Sequence, residues 1–260
     1  MFPARMERFR AVDSTQRIVR EWLDQGTDEV AVAVAGYQTA GRGRQGREWL
    51  APQDKALLLS VGFRPRDLAA QHAWRLAAVL SLAMRDAAEE VAGLKDGTLW
   101  LKWPNDIVAE SPRARGGLVK VAGVLGESAL IDDRVESAVV GIGINSDWRA
   151  TDFPWAIAPA MTSLRELAGR RPIDNDQLLD AFLARLEPRY EALQGGQFDV
   201  AGWSTNQVTT TRHVDIYLPG ETIGGIATGI DPESGALLLS GDDGHDRSID
   251  SGEVIRCRVA

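Results

Sequence analysis

Residues 36–49 form a glycine- and arginine-rich stretch that directly follows an apolar run at 30–35. Glycine occupies positions 36, 41, 43 and 46, where it allows unusual backbone angles and close approach of N–H groups to a bound molecule. Arginine recurs between them at 42, 44 and 47. Because guanidinium groups bind carboxylate and phosphate oxygens in pairs and stay charged at any working pH, this stretch predicts a loop that binds a polyanion such as ATP.

Gly/Arg-rich segments are also typical of plain exposed loops and of nucleic-acid-binding tails. Three features favour the ligand-binding interpretation. The stretch starts directly from an apolar run that reads as a buried strand, it ends at Trp49, and it occurs once, whereas a disordered tail would repeat the pattern.

Composition restricts the class of protein. The chain of 260 residues has a net charge of −8 and a pI of about 5.0, which argues against a surface that follows a nucleic-acid backbone. Its single cysteine, Cys257, cannot form an internal disulfide, and the N-terminus does not resemble a secretory signal. No apolar run approaches the roughly 20 residues of a membrane span. We therefore expect a cytoplasmic protein with no membrane partner, and the three scattered histidines predict no fixed zinc or other metal site.

The order of predicted elements indicates an α+β fold with a mixed sheet. Asp13 or Ser14 is expected to cap a first helix, with Gln16 completing a capping box. Further strands are predicted at 56–63, 99–103, 118–127 and 134–144, and helices at 71–91, from Ser163, and from Asp174. From about residue 207 the pattern changes to short β segments separated by Gly- and Asp-rich turns, the size of a small SH3-like barrel. We expect a catalytic domain at 1–205 and a C-terminal β domain at 206–260.

Two further stretches carry candidate ligand groups. Asn105 and Asp106 follow a predicted strand directly after Pro104, where an amide and a carboxylate could bind Mg²⁺ or nucleotide oxygens, although Asn-Asp at a strand end is usually only a turn. Lys120 lies in a strand whose strict alternation would put it on one face with Ala122 and Val124, and Val119, Val121 and Gly123 on the other. Such a lysine is either an edge-strand charge or a cation aimed at a bound anion.

Glycines 141 and 143 share one face of the predicted strand 134–144, and they remove side chains where a ligand ring must lie close to the backbone. Packing of this face against a helix would require the same glycines. All candidate groups fall at element ends or on neighbouring strands. They are expected to meet on one face of the sheet.

These motifs resemble, in the same order, those of the biotin protein ligase family: DST at 13–15, GRGRQGREW at 41–49, KWPND at 102–106, KVAGVLGE at 120–127 and GIGIN at 141–145. The resemblance implies a catalytic domain related to class II aminoacyl-tRNA synthetases, followed by an SH3-like domain. It also implies an ATP-dependent, AMP-forming ligase that converts biotin to biotinyl-5'-AMP and transfers biotin to a lysine of a biotin carboxyl carrier domain of acetyl-CoA or acyl-CoA carboxylases.

The resemblance assigns three groups of residues, which are given by their numbers in this chain. The biotin group is Ser14, Thr15, Gln16, Gln38, Gly41, Arg42, Gly43, Arg44, Lys120, Gly123, Gly141 and Gly143. The ATP group is Arg44, Arg47, Trp49, Asn105, Asp106, Lys120 and Asn145. The catalytic group is Arg42, Arg44, Lys120 and Asp106, with Mg²⁺ near Asn105 and Asp106 and Asp106 as the base of the second step. Gln16 departs from the asparagine common in the family, which leaves its contact with biotin open.

Some family members also repress transcription through an N-terminal DNA-binding domain. Only twelve residues precede Asp13, too few for a helix-turn-helix, so we predict a ligase without a nucleic-acid partner, a monomer or weak homodimer. Two alternatives remain: a lipoate–protein ligase of the same fold, and a non-catalytic sensor of biotinyl-adenylate.

Overall fold

A computed structural model describes residues 2–112, 114 and 116–258 of the chain. The sequence also predicts a glycine- and arginine-bearing hairpin loop at 111–117 and a last β segment at 254–259. Residues 113 and 115 of that loop and residue 259 of that segment lie outside the described residues. The helices and strands form a seven-stranded mixed sheet, a five-stranded antiparallel sheet and five α-helices. The predicted α+β fold with a mixed sheet is confirmed.

The larger sheet has the strand order β1-β2-β3-β7-β6-β5-β4. Its first pair, β1 with β2, is parallel and the other neighbours are antiparallel. The strands are β1 Arg5–Phe9, β2 Ala31–Ala35, β3 Ala56–Phe63, β4 Leu99–Lys102, β5 Asp106–Glu110, β6 Leu118–Ile131 and β7 Arg134–Asn145. Strand β1 was not predicted, because its largely exposed residues give no strand-like alternation.

Five α-helices complete the main body: α1 Thr15–Asp24, α2 Trp74–Ala92, α3 Leu164–Leu167, α4 Asn175–Gln194 and α5 Val200–Thr205. The spacings Ser163-x-x-Glu166 and Asp174-x-x-Gln177 predict capping boxes at α3 and α4. The structure shows the N-cap half of each, since Ser163 accepts from the Glu166 N–H and Asp174 accepts from the N–H groups of Asp176 and Gln177. The short α5 was not predicted.

The two faces of the sheet carry different layers, as β3 shows. Leu57, Leu59 and Val61 belong to the large core that also contains α2 and α4. The alternate residues point the other way: Ser60 bonds to Thr15 of α1, with 2.8 Å between the hydroxyl oxygens, and a Cβ at Gly62 would lie 2.6 Å from Val19. Because side chains alternate along a strand, α1 lies on the face opposite to α2 and α4.

The second sheet has the order β11-β10-β9-β8-β12 and is antiparallel throughout. Its strands are β8 His213–Leu218, β9 Glu221–Ile230, β10 Leu237–Gly241, β11 Asp246–Ile249 and β12 Glu253–Cys257. The polar β11 was not predicted. Apolar residues of this sheet, such as Val214 and Leu237, belong to the same continuous core as α2 and α4, so the two sheets pack as one body.

Among the described residues, no helix combines the length and the apolar character needed to cross a membrane.

Candidate active site

A cavity of about 410 Å³ lies on the α1 face of the larger sheet. Strand pairing builds its floor as one row of residues: Gly143 of β7 pairs with Gly123 of β6, Gly123 with Asp106 of β5, and Asp106 with Lys102 of β4. The row therefore brings together residues as far apart in sequence as Lys102 and Gly143, which are separated by 41 positions. As expected, the strand register brings these motifs together on one face of the sheet.

The cavity wall contains most of the residues predicted for the site. From that set it includes Ser14, Thr15, Gln16, Gln38, Arg42, Gly43, Arg44, Arg47, Trp49, Asn105, Asp106, Lys120, Gly123, Gly141 and Gly143. It also includes residues that were not selected, among them Ser60, Lys102, Ala156, Ile157, Met161, Gly252 and Glu253. Lys102 was within the quoted KWPND motif, whereas nothing in the sequence marked 252–254.

Two predicted site residues do not line the cavity. Asn145 is 1% exposed, and its side-chain amide donates to the Thr162 carbonyl at 3.1 Å. Asn145 therefore stabilises the segment 156–162, which contributes Ala156, Ile157 and Met161 to the cavity wall. Gly41 is buried at the base of the arginine loop, where an added Cβ would lie 2.5 Å from the Trp49 carbonyl oxygen. Both residues shape the site without reaching its surface.

The start of α1 is held differently from the predicted capping box. Ser14 makes no side-chain cap bond. The Thr15 N–H instead donates to Gln38 Oε1 at 2.8 Å, so a residue from the loop after β2 satisfies one free donor of the helix. Gln16 does not reach back either, because its amide donates to the Leu125 carbonyl at 3.1 Å. The capping-box prediction is wrong, and the Ser14 side chain lies in the cavity wall.

Lys120 reaches the cavity because of a β-bulge. Ile107 pairs with Ala122 whereas Val108 pairs with Lys120, so β6 holds one extra residue there. The strict alternation that we expected for 118–127 is therefore wrong. Lys120 comes to the side of Gly123, and its ammonium lies only 3.0 Å from where a Gly123 Cβ would be.

The Lys120 ammonium is 2.6 Å from Asp106 Oδ1, with side-chain exposures of 28% and 19%. The contact is an ion pair without good hydrogen-bond direction, because Oδ1 has no hydrogen-bond partner among the described residues. Asn105 beside it donates its amide to the Val124 carbonyl at 2.7 Å, which ties the 103–105 turn to β6. The pair is thus held on two neighbouring strands.

Trp49 covers the glycine floor that was expected to receive an apolar ring. A Cβ at Gly143 would lie 2.5 Å from the indole, and a Cβ at Gly123 would lie 3.0 Å from it. Lys120 Nζ is 5.4 Å from the ring centroid. The indole Nε1 is buried and has no hydrogen-bond partner among the described residues, so it can donate to a ligand in the cavity.

Gly141 is covered as well, by the side chain of Gln16, whose atoms would lie 3.1 Å from an added Cβ. Both glycines therefore serve a close approach of neighbouring side chains. Gln16 belongs to α1, so the alternative of packing against a helix describes Gly141, whereas Gly143 is covered by Trp49 of the arginine loop.

The arginine loop folds into a short hairpin. The Gly43 N–H donates to the Arg47 carbonyl at 2.7 Å, and the Trp49 N–H donates to the Gly41 carbonyl at 2.9 Å. Arg42 is exposed and Arg44 is half-buried in the wall. Burial lowers the pKa of the Arg44 guanidinium, an effect opposed by the nearby Asp106 and Glu253, and the group stays protonated because its ordinary pKa is far above neutral.

The cavity is positively charged although the protein is acidic. Five cationic side chains line it, from Arg42, Arg44, Arg47, Lys102 and Lys120, against three carboxylates, while the whole chain carries −8. Low-dielectric walls raise the positive electrostatic potential that such a local excess of charge produces in the cavity. The site is therefore suited to bind an anionic ligand larger than a single phosphate.

A metal ion would find few protein ligands here. Within residues 2–112, 114 and 116–258, no group of three or more His, Cys, Asp or Glu side chains is placed to hold a metal. Asp106 Oδ1, which forms the ion pair with Lys120 and has no hydrogen-bond partner among the described residues, is a carboxylate oxygen beside Asn105. That donor set suits an ion that brings most of its ligands as water and phosphate oxygens, as Mg²⁺ does.

Comparison with known proteins agrees with this geometry. Residues 8–145 match the sequence model of the Biotin/lipoate A/B protein ligase family, and residues 212–256 match that of the Biotin protein ligase C terminal domain. The chain is 32% identical over 242 residues to the Bifunctional ligase/repressor BirA of Bacillus subtilis, covering 90% of this chain and 68% of the relative. It is 32% identical over 229 residues to the Biotin--[acetyl-CoA-carboxylase] ligase of Mycobacterium tuberculosis, covering 87% of this chain and 79% of the relative.

A solved structure is similar over nearly the whole length. The biotin protein ligase from Aquifex aeolicus in complex with biotin and ATP superposes with a TM-score of 0.75 and 29% identity, covering 96% of this chain and 97% of the other.

Proposed function

The chain belongs to the Biotin/lipoate A/B protein ligase family and is an enzyme of the biotin ligase type, and from that premise we propose the reaction that its cavity performs. In the first step, biotin and ATP form biotinyl-5'-AMP and release pyrophosphate. In the second, biotin passes to a lysine of a biotin carboxyl carrier domain and AMP leaves. The observation that carries this proposal is the cationic cavity on a glycine floor in an otherwise acidic protein.

The first step brings two anions together. The biotin carboxylate attacks the α-phosphorus, and the bond to the pyrophosphate oxygen breaks. The carboxylate is already ionised at neutral pH, so this step needs no base and depends on cations that reduce the repulsion. Arg42, Arg44 and Lys120 supply that charge from the loop and from β6. The predicted biotin and ATP contacts remain proposals for these residues.

Mg²⁺ is part of the proposal because ATP reaches such sites as its magnesium complex. Asp106 would offer a carboxylate oxygen and Asn105 its side-chain oxygen, since the Asn105 amide nitrogen is already used by Val124. The ion would neutralise charge on the triphosphate.

The second step needs a free amine, because an ordinary lysine with a pKa near 10.4 is protonated at neutral pH. Asp106 is our candidate acceptor for that proton, since it is a carboxylate on the cavity floor next to Lys120. The arginine loop would limit the access of water to the mixed anhydride, which hydrolyses readily.

We further propose that residues 1–205 form the catalytic domain and 206–260 the C-terminal domain.

An experiment on the transfer reaction tests the function as a whole. The purified protein is incubated with ATP, Mg²⁺ and either biotin or lipoate, together with a biotin carboxyl carrier domain or its variant with arginine at the acceptor lysine. We expect covalent biotin on the intact carrier only, seen by mass spectrometry with AMP formed in equal amount. Transfer of lipoate instead, or binding of biotin and ATP without AMP, would overturn the proposal.

A further inference from the structure

The tip of the arginine loop contacts residues 252 and 253 of the five-stranded part, which are more than 200 positions away in sequence. Arg44 Nη1 donates to the Gly252 carbonyl at 3.3 Å. Arg47 makes a two-pronged ion pair with Glu253, one prong being Nη1 to Oε1 at 2.9 Å and the other Nη2 to Oε2. These contacts join the loop to the start of β12.

Glu253 is well placed to hold an arginine. Its side chain is 30% exposed, and β12 fixes its backbone through antiparallel pairing with Tyr217 of β8. The hydrogen bond from Arg47 holds the pKa of the Glu253 carboxyl below its ordinary value, with help from the positive charges of Lys102 and Lys120. The carboxylate is therefore ionised at neutral pH, when the pair with Arg47 is strongest.

The sheet that carries Glu253 is itself fixed to the cavity. The turn between β9 and β10 accepts three hydrogen bonds from the main body: Trp103 Nε1 to the Gly235 carbonyl at 3.1 Å, Trp74 Nε1 to the Glu233 carbonyl at 3.1 Å, and Arg75 to the Pro232 carbonyl at 2.9 Å. Trp103 belongs to the same 103–105 turn as Asn105. The position of Glu253 relative to the cavity is thus set by the fold.

Trp49 anchors the base of the loop on Gly123 and Gly143. The tip of the loop, residues 43–47, makes no hydrogen bond to the rest of the described chain other than those to Gly252 and Glu253. The two cross-bonds of the loop lie within the hairpin and do not fix the hairpin to the body. Glycine-rich, largely exposed hairpins open at low free-energy cost. A charge pair at the tip therefore has a large influence on how long the loop stays in place.

We propose that Glu253 is a positioning residue, which through Arg47 holds the arginine loop over the cavity and so slows the escape of the activated biotin. The role in retention rests on the proposed function, whereas the contact between loop and sheet does not. Glu253 need not touch either substrate.

Trypsin reports the loop position without any substrate, because the peptide bond after Arg44 is a cleavage site in every variant used. We compare the wild type with Glu253→Gln, Arg47→Gln and the double variant, and follow this bond by mass spectrometry. A partly exposed charge pair is worth up to about 1 kcal/mol, so each single variant should be cleaved roughly twofold to fivefold faster. The double variant should be cleaved no faster than Arg47→Gln alone, since both changes remove one contact.

Glu221→Gln is the matched control, because Glu221 is an exposed carboxylate on the same sheet. Among the described residues, the hydrogen bonds and ion pairs from this part of the chain to the loop come from Gly252 and Glu253. Glu221→Gln should be cleaved at the wild-type rate. High salt should raise wild-type cleavage toward the level of Glu253→Gln and change that variant little, since an exposed ion pair is screened. A role of Glu253 in general stability would not give this salt dependence.

The retention role is measured as biotin transferred to serum albumin, which has no acceptor sequence. Glu253→Gln should raise this unspecific labelling by a factor similar to the tryptic one, and Glu221→Gln should not. Unchanged cleavage, additive effects of Glu253→Gln and Arg47→Gln, or unchanged labelling would each overturn the proposal. If the wild type forms no adenylate, the proposed function fails, while the tryptic comparison still tests the contact.

Discussion

Replacing Lys120 with methionine separates the chemical role of this residue from its structural one. Methionine keeps an unbranched apolar stem beside Trp49 and Gly123 but removes the ammonium that lies 2.6 Å from Asp106 Oδ1. Since that oxygen has no hydrogen-bond partner among the described residues, the variant leaves a carboxylate at 19% exposure without its counter-charge.

The expected magnitudes differ for the two roles. A partly buried carboxylate that loses its partner destabilises the fold by about 2 kcal/mol, which in a protein of this size lowers Tm by roughly 4–8 °C. Loss of one oriented positive group facing the developing charge costs about 10²- to 10³-fold in the activation step. Lys120→Met should therefore remain folded at 25 °C and lose nearly all biotin-dependent exchange of labelled pyrophosphate into ATP.

The double variant Lys120→Met with Asp106→Asn is the control. It removes both charges, so its Tm should return to within about 2 °C of the wild type, because no unpaired carboxylate remains. Its pyrophosphate exchange should stay as low as that of Lys120→Met. Exchange by the single variant within about threefold of the wild type would refute the catalytic role of Lys120.

Three further changes test other parts of the structure. Gly143→Ala puts a methyl group 2.5 Å from the Trp49 indole and should lower the free energy of unfolding in urea by about 1–3 kcal/mol. Gly126→Ala, whose nearest neighbour is 3.8 Å away, should change that free energy by less than about 0.5 kcal/mol. Equal effects of the two changes would contradict the placement of Trp49. Gly41→Ala meets the Trp49 carbonyl at 2.5 Å and should lower pyrophosphate exchange by at least about tenfold, so a normal rate would show that the loop base is not as described. Burial and a hydrogen-bonded carboxylate raise the pKa of Tyr190 above its ordinary 10.0, so its contribution to stability is complete below about pH 10 and is lost as the pH rises above that value. In urea unfolding above about pH 10, Tyr190→Phe should therefore lose stability less steeply than the wild type. Parallel plots of stability against pH for the two proteins would contradict this assignment.

Local patterns in the sequence were sufficient for much of the architecture. The continuous apolar run of β3 and the caps at Ser163 and Asp174 each predicted an element that the structure contains. Motifs on neighbouring strands also predicted which groups meet, because strand register brings Gly143, Gly123 and Asp106 into one row. These features depend on residues close in sequence or on a regular repeat.

The remaining features depend on contacts between distant segments. The bulge that turns Lys120 toward the cavity inserts one residue into β6, and alternation by itself assumes that no such insertion exists. The cap of α1 comes from Gln38, which lies 23 positions after Thr15. Glu253 enters the site only because the five-stranded sheet packs against the larger one, and a short polar strand end gives no local signal of that.

Exchange of labelled pyrophosphate into ATP by the purified protein tests most directly whether this cavity activates biotin. The protein is supplied with Mg²⁺, ATP and biotin, lipoate or neither acid. The cationic cavity and the similarity of the chain to biotin ligases predict rapid exchange with biotin and background exchange in the other two reactions. Absence of exchange with biotin, or equal exchange with lipoate, would contradict the proposed reaction.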